Sequence, residues 1–89
     1  MDRFAIAAFR SRQSVFAFES LLRRNGLQPG IISTPHQVSV GCGLSVSFSL
    51  SDLPKAYAAY QGSPVANLVG FFNVTREGVR TTVSPVGKP

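Results

Sequence analysis

The stretch TPHQVSVGCG, residues 34–43, holds the chain's one cysteine, Cys42, between Gly41 and Gly43. The thiolate is the nucleophilic form of cysteine, and it is favoured by nearby cations, by the free amides of a helix N-terminus and by backbone N–H groups that glycine lets come close. The sequence offers each of these. Arg10 and Arg12 flank Ser11, a residue type that caps helices, and the two glycines permit positive φ on either side of the thiol. His36, in the same stretch, can serve as a base or an anion donor, or simply stand solvated in a polar loop. Such surroundings suit a persulfide, because its outer sulfur is itself anionic. Free cysteine is also among the most buried residue types, so Cys42 reads equally as small apolar filler.

Other chemistries find little footing. A lone cysteine cannot staple the fold, form a CxxC pair or build a zinc site, so its chemistry would need a second molecule. Four acidic residues and one histidine form no evident carboxylate pair and no Ser-His-Asp set, and no glycine-rich phosphate loop leads into an arginine at a helix start. We therefore expect no enzyme, no metal and no cofactor. With 89 residues, 44% of them hydrophobic, the chain suits one compact domain. The apolar run from Phe4 to Phe9 falls short of the roughly 20 residues that cross a bilayer and has no cleavage site after it, so no membrane association is expected. A single free thiol suits the reducing cytoplasm. The net charge of +5 favours anionic partners, but Arg3, Arg10, Arg12, Arg23, Arg24, Arg76 and Arg80 are scattered rather than gathered.

The elements that must position these residues follow from periodicity. RFAIAAF, residues 3–9, predicts a strand with Phe4, Ile6 and Ala8 on one side and Ala5, Ala7 and Phe9 on the other. Ser11 then caps a helix with Val15, Phe18, Leu21 and Leu22 as its apolar stripe, closed by Asn25-Gly26. Residues 28–33 predict a second strand, placed at a sheet edge because Pro29 cannot donate to a ladder. LSVSFS, residues 44–49, alternates without exception, with Leu44, Val46 and Phe48 inward and Ser45, Ser47 and Ser49 outward. Ser51 opens a second helix that tolerates Pro54 in its first turn, turns Leu53, Ala56, Tyr57 and Tyr60 inward and ends at Gly62. Residues 67–75 predict a strand, Arg76-Glu77-Gly78 a turn, and residues 79–83 a fifth strand before a flexible tail.

The order βαββαβ predicts an α+β, ferredoxin-like sandwich: an antiparallel sheet with both helices on one face, spanning residues 1–75, with residues 76–89 as an added strand and tail. One core should unite Phe4, Ile6, Val15, Phe18, Leu22, Leu44, Val46, Phe48, Leu53 and Tyr57. The open face would then carry Ala5, Ala7, Phe9 and the three serines, a small-residue surface that a second copy can cover as a homodimer. RNA platforms on such sheets need stacking aromatics, and Phe9 with Phe71 makes a poor one, so nucleic acid is an unlikely partner. In this topology strands one and two run the same way. The turn Arg10-Ser11-Arg12 and the loop 34–43 should therefore meet at one edge of the sheet.

At these residues the chain resembles a small bacterial family described as Se/S carrier protein-like. The likeness lies in AFRSRQSVFAFESLLRRNGL (8–27), in TPHQVSVGCGLSVSF (34–48), where TP, a short spacer and CG recur, and in SDL (51–53), and it covers about residues 4–74. The resemblance implies a ferredoxin-like fold and a carrier role in which Cys42 bears sulfur, as a persulfide, or selenium, passed from a donor to an acceptor, with Thr34, Pro35 and Gly43 shaping its loop. His36 stands where the family often has arginine, and Glu19 matches an acidic helix position.

Overall fold

In a computed structural model, residues 2–86 are described, and they form β1 (Asp2–Phe9), α1 (Arg12–Arg24), β2 (Gly30–Ser33), β3 (Leu44–Phe48), a 3-10 turn (Leu50–Asp52), α2 (Leu53–Gln61), β4 (Leu68–Glu77) and β5 (Arg80–Pro85). Of the expected flexible tail, residues 84–89, Ser84 and Pro85 instead belong to β5 and the Val86 N–H donates to Phe71 O at 2.9 Å, while residues 87–89 lie outside the described residues. The five strands make one antiparallel sheet in the order β2-β3-β1-β4-β5, which puts β2 at an edge as Pro29 required. Among the described residues no helix is long and apolar enough to cross a membrane.

Local chemistry sets the helix ends. Ser11, extended at φ −131°, accepts a hydrogen bond from the Ser14 amide and starts α1. At the other end Gly26 takes φ +83°, its N–H reaches Arg23 O and the Leu27 N–H reaches Leu22 O, the paired bonds of a Schellman stop. Leu27 then folds into the core. Pro54 sits in the first turn of α2, where its missing N–H costs nothing.

Val15, Phe18 and Leu22 of α1, with Leu53 and Ala56 of α2, cover one face of the sheet. Beneath them lie Ala5, Ala7, Phe9, Val46, Phe48 and Phe71. Rings dominate this layer: Phe18 stands 5.4 Å from Phe9 and 6.1 Å from both Phe71 and Tyr60, and Phe71 also meets Phe48, Tyr57 and Tyr60.

For β3 the expected faces hold, since Val46 and Phe48 join the helix-side core. For β1 they are reversed. Ala5, Ala7 and Phe9 lie under the helices, while Ile6 is fully buried on the other face and Phe4 half-buried there. Both sets of β1 residues are apolar, so alternation alone could not choose a side. Volume does: Ala7 pairs with Val46 and Phe71, and Ala5 with Phe48, so the alanines leave room for the rings above. Phe9 and Phe71, expected on the open face, are therefore core residues. The strand ends also move: β2 begins two residues later than expected, and β4 runs on through Glu77. The hairpin closes on Gly78-Val79, with Gly78 at φ +60°, the first central position of a two-residue turn.

The face without helices is not bare. Ala8, Ser45 and Val74 are as buried as Ile6. The Gln37 side-chain amide donates to Thr81 O of β5 at 2.8 Å, so the β2–β3 loop, residues 34–43, reaches the far edge of the sheet. It returns past Val69 of β4 and Phe9 of β1 before entering β3. With both helices on the opposite side, this path crosses the helix-free face, where a second copy was expected to dock.

Candidate functional site

The loop is pinned at both ends of its return. Its base closes where Thr34 N–H donates to Gly43 O at 2.9 Å and where the Thr34 and Ser45 hydroxyls share a hydrogen bond at 2.6 Å. Pro35 O accepts from Val38 N–H, closing a turn that leaves His36 exposed. The Cys42 amide then donates to Phe9 O at 2.9 Å. This bond fixes the backbone of the cysteine against the last residue of β1, next to Arg10.

The glycines beside Cys42 have different reasons to be there. Gly41 sits at φ +120°, and a Cβ on it would stand 2.8 Å from Phe9 O, so neither its dihedral nor its space admits a side chain. Gly43 has φ +87° but open space where a Cβ would go, so only its backbone conformation calls for glycine. The close approach of Gly41 to Phe9 is what lets the next residue make its amide bond.

The thiol is half-buried and packs against the helix-side core. Its polar contact is with Leu44 O, to which Sγ donates at 3.7 Å. As a residue Cys42 is only partly buried, and attack on an outside molecule requires that its sulfur be reached. The structure thus brings Thr34, Pro35, Gly41, Cys42 and Gly43 together at the end of β1, with Arg10 and Ser11 following directly in the chain. Arg10 is tied through its own N–H to Asn67 O at 2.8 Å, Ser11 caps α1, and Arg12 is the first residue of that helix. Both guanidinium groups are exposed, and among the described residues no hydrogen bond joins either of them, or His36, to the thiol. Glu19 pairs with Arg23 one turn along α1, and Arg23 also reaches Pro29 O at 3.4 Å, so this acidic position fastens α1 to the entrance of β2.

Three contributors were not found by reading the sequence. Leu44 O receives the S–H, buried Ser45 anchors Thr34, and Gln37 ties the loop to β5. The serine stands in a strand whose pattern places it away from the helices, which concealed that the loop would cover it. Nothing in the sequence signals the Gln37 contact, because its acceptor is a backbone carbonyl 44 positions away.

Comparison with curated proteins and with solved structures finds no match. A family model matches residues 4–67, ending before β4 and so somewhat short of the span over which the likeness was expected. That stretch contains most of β1, all of α1, the whole 34–43 loop and α2, and on it the chain belongs to the family described as "Putative Se/S carrier protein-like".

Proposed function

We propose that this protein, a ferredoxin-like sandwich extended at one edge by β5, is a non-enzymatic cytoplasmic carrier of sulfur or selenium on Cys42. The carrying observation is that the only cysteine of a chain in this family stands, partly exposed, on a loop whose backbone is fixed to the end of β1 by the Cys42 N–H to Phe9 O bond. Loading is a transfer between sulfurs. The Cys42 thiolate attacks the outer sulfur of a donor persulfide, a new S–S bond forms, the donor's S–S bond breaks, and its inner sulfur leaves as a thiolate with the electron pair. A donor perselenide reacts in the same way at selenium. Unloading repeats the step with an acceptor thiolate attacking the outer atom on Cys42, so no net oxidation occurs. Arg10, Arg12 and the first amides of α1 follow directly on Phe9, whose carbonyl accepts the Cys42 N–H, and supply positive charge at that end of β1.

A second reading has its own observation. Cys42 packs against the core and its S–H donates a hydrogen bond to Leu44 O, as a structural cysteine would. In that case the domain is an interaction module and the thiol is filler.

Cysteine persulfide, as donor, separates the two. The carrier should gain the mass of one sulfur while folded, lose it to excess thiol, and gain none as Cys42→Ser. If the folded protein takes up no sulfur and the urea-unfolded chain does, Cys42 is filler and the carrier reading is lost.

A further inference from the structure

On the helix-free face the sheet bears a groove of about 340 Å³ that runs from Phe4 and Arg76, near the start of β1, to Ile32, which the strand register puts level with Ala8. Phe4 and Ile32 supply its apolar wall, and Gln28, Ser47, Ser49 and Arg76 its polar rim. The Arg76 guanidinium lies over the Phe4 ring, 5.2 Å from its centroid. Asp2 is directly opposite Arg76 across the β1–β4 pair, yet among the described residues Arg76 is in no ion pair. Its charge is thus held at the groove by an aromatic face rather than neutralised by its nearest carboxylate. Cys42 packs against the helix-side core, so the groove and the thiol lie toward opposite faces of the sheet.

We propose that this groove binds a small organic carboxylate with a flat apolar body. The volume falls at the low end of ligand sites, and the division into an apolar wall and a few polar groups is typical of them. A guanidinium offers two parallel N–H donors that match one carboxylate, and the Ser47 and Ser49 hydroxyls and the Gln28 amide can complete its hydrogen bonds. A single cation suits a monoanion better than a phosphate dianion. The apolar part of the ligand then lies along Ile32 and the edge of Phe4.

The probe is benzoate, titrated into isotopically labelled protein and followed by amide chemical shifts. Saturable shifts should gather at Phe4, Ile32, Ser47 and Arg76. Arg76→Gln should weaken binding by about tenfold or more, with Arg76→Lys in between, because a charge-assisted bidentate contact is lost. Arg76 is exposed, so these variants keep the fold; Ile32→Ser, on the wall, should also weaken binding without touching the charge. Benzamide, which has the same shape without charge, and inorganic phosphate, which has charge without the ring, should each bind far more weakly. Equal binding of benzamide, equal binding of phosphate, shifts spread over the whole surface, or an unaffected Arg76→Gln would each overturn the proposal.

Discussion

The two faces of one sheet are closed by different means. On the helix side, Phe71 touches four other rings under two helices, and burial is made by large interlocking side chains. On the other side Ile6, Ala8, Ser45 and Val74 are just as inaccessible, although no helix lies there and the residues are mostly small. Their cover comes from neighbouring strands and from a loop tied to β5 by one side-chain hydrogen bond. The first face buries the larger side chains. The second is crossed by the loop that leads to Cys42, whose own side chain packs back against the helix-side core.

Core truncations test that contrast most strongly. Phe71→Ala should cost about 3–5 kcal/mol, since a ring leaves a cavity among side chains that cannot collapse into it. Ile6→Ala should cost about 2–4 kcal/mol if the helix-free face is closed as the burial indicates. Urea unfolding reads both, with an unchanged m-value confirming that the unfolded state is the same. A loss under about 1 kcal/mol for Ile6 would mean that water readily replaces the loop, and that only the helix side is a core in the energetic sense.

How much of this could be read in advance depended on local contrast in the sequence. LSVSFS set its own faces because serine alternates with apolar residues, and α1 announced its ends through Ser11 and Asn25-Gly26. β1 could not, since RFAIAAF is apolar on both sides and the choice was made by the rings of β3, β4 and α1. That the loop meets the end of β1 was legible, because β1 and β2 run the same way; the contact made is with Phe9, the residue before Arg10-Ser11-Arg12. Where the side chains point was not. The thiol's turn toward Leu44 O, the outward Arg10 and Arg12 and the span to Thr81 depend on packing between distant segments.

The glycines flanking Cys42 should differ in a way that isolates the close approach of the loop. Gly41→Ala meets both an unfavourable φ and the Phe9 carbonyl, and should cost about 2–3 kcal/mol. Gly43→Ala meets only the first, and should cost about 1–2 kcal/mol. Hydrogen exchange adds a local reading: the Cys42 amide should lose protection in Gly41→Ala and keep most of it in Gly43→Ala, because only the former displaces its acceptor. Equal stability losses with equal protection would show that the approach to Phe9 is not what holds the cysteine.

The smallest expected effect falls on the tether. Gln37 is exposed and its bond to Thr81 O competes with water, so Gln37→Ala should lower global stability by no more than about 1 kcal/mol. Its local consequence is larger than its energy. Freed from β5, the outward part of the loop can open while the return stays fastened by Cys42 N–H to Phe9 O and Thr34 N–H to Gly43 O. Exchange of the Val38, Ser39 and Val40 amides should therefore quicken, with Ile6 and Val74 amides in the sheet unchanged. Alkylation of Cys42 in the same variant then separates two kinds of access. An unchanged rate means that the pinned return alone sets the exposure of the thiol. A faster rate means that the span to β5 also shields it, and that whatever loosens Gln37 from Thr81 controls entry to the sulfur.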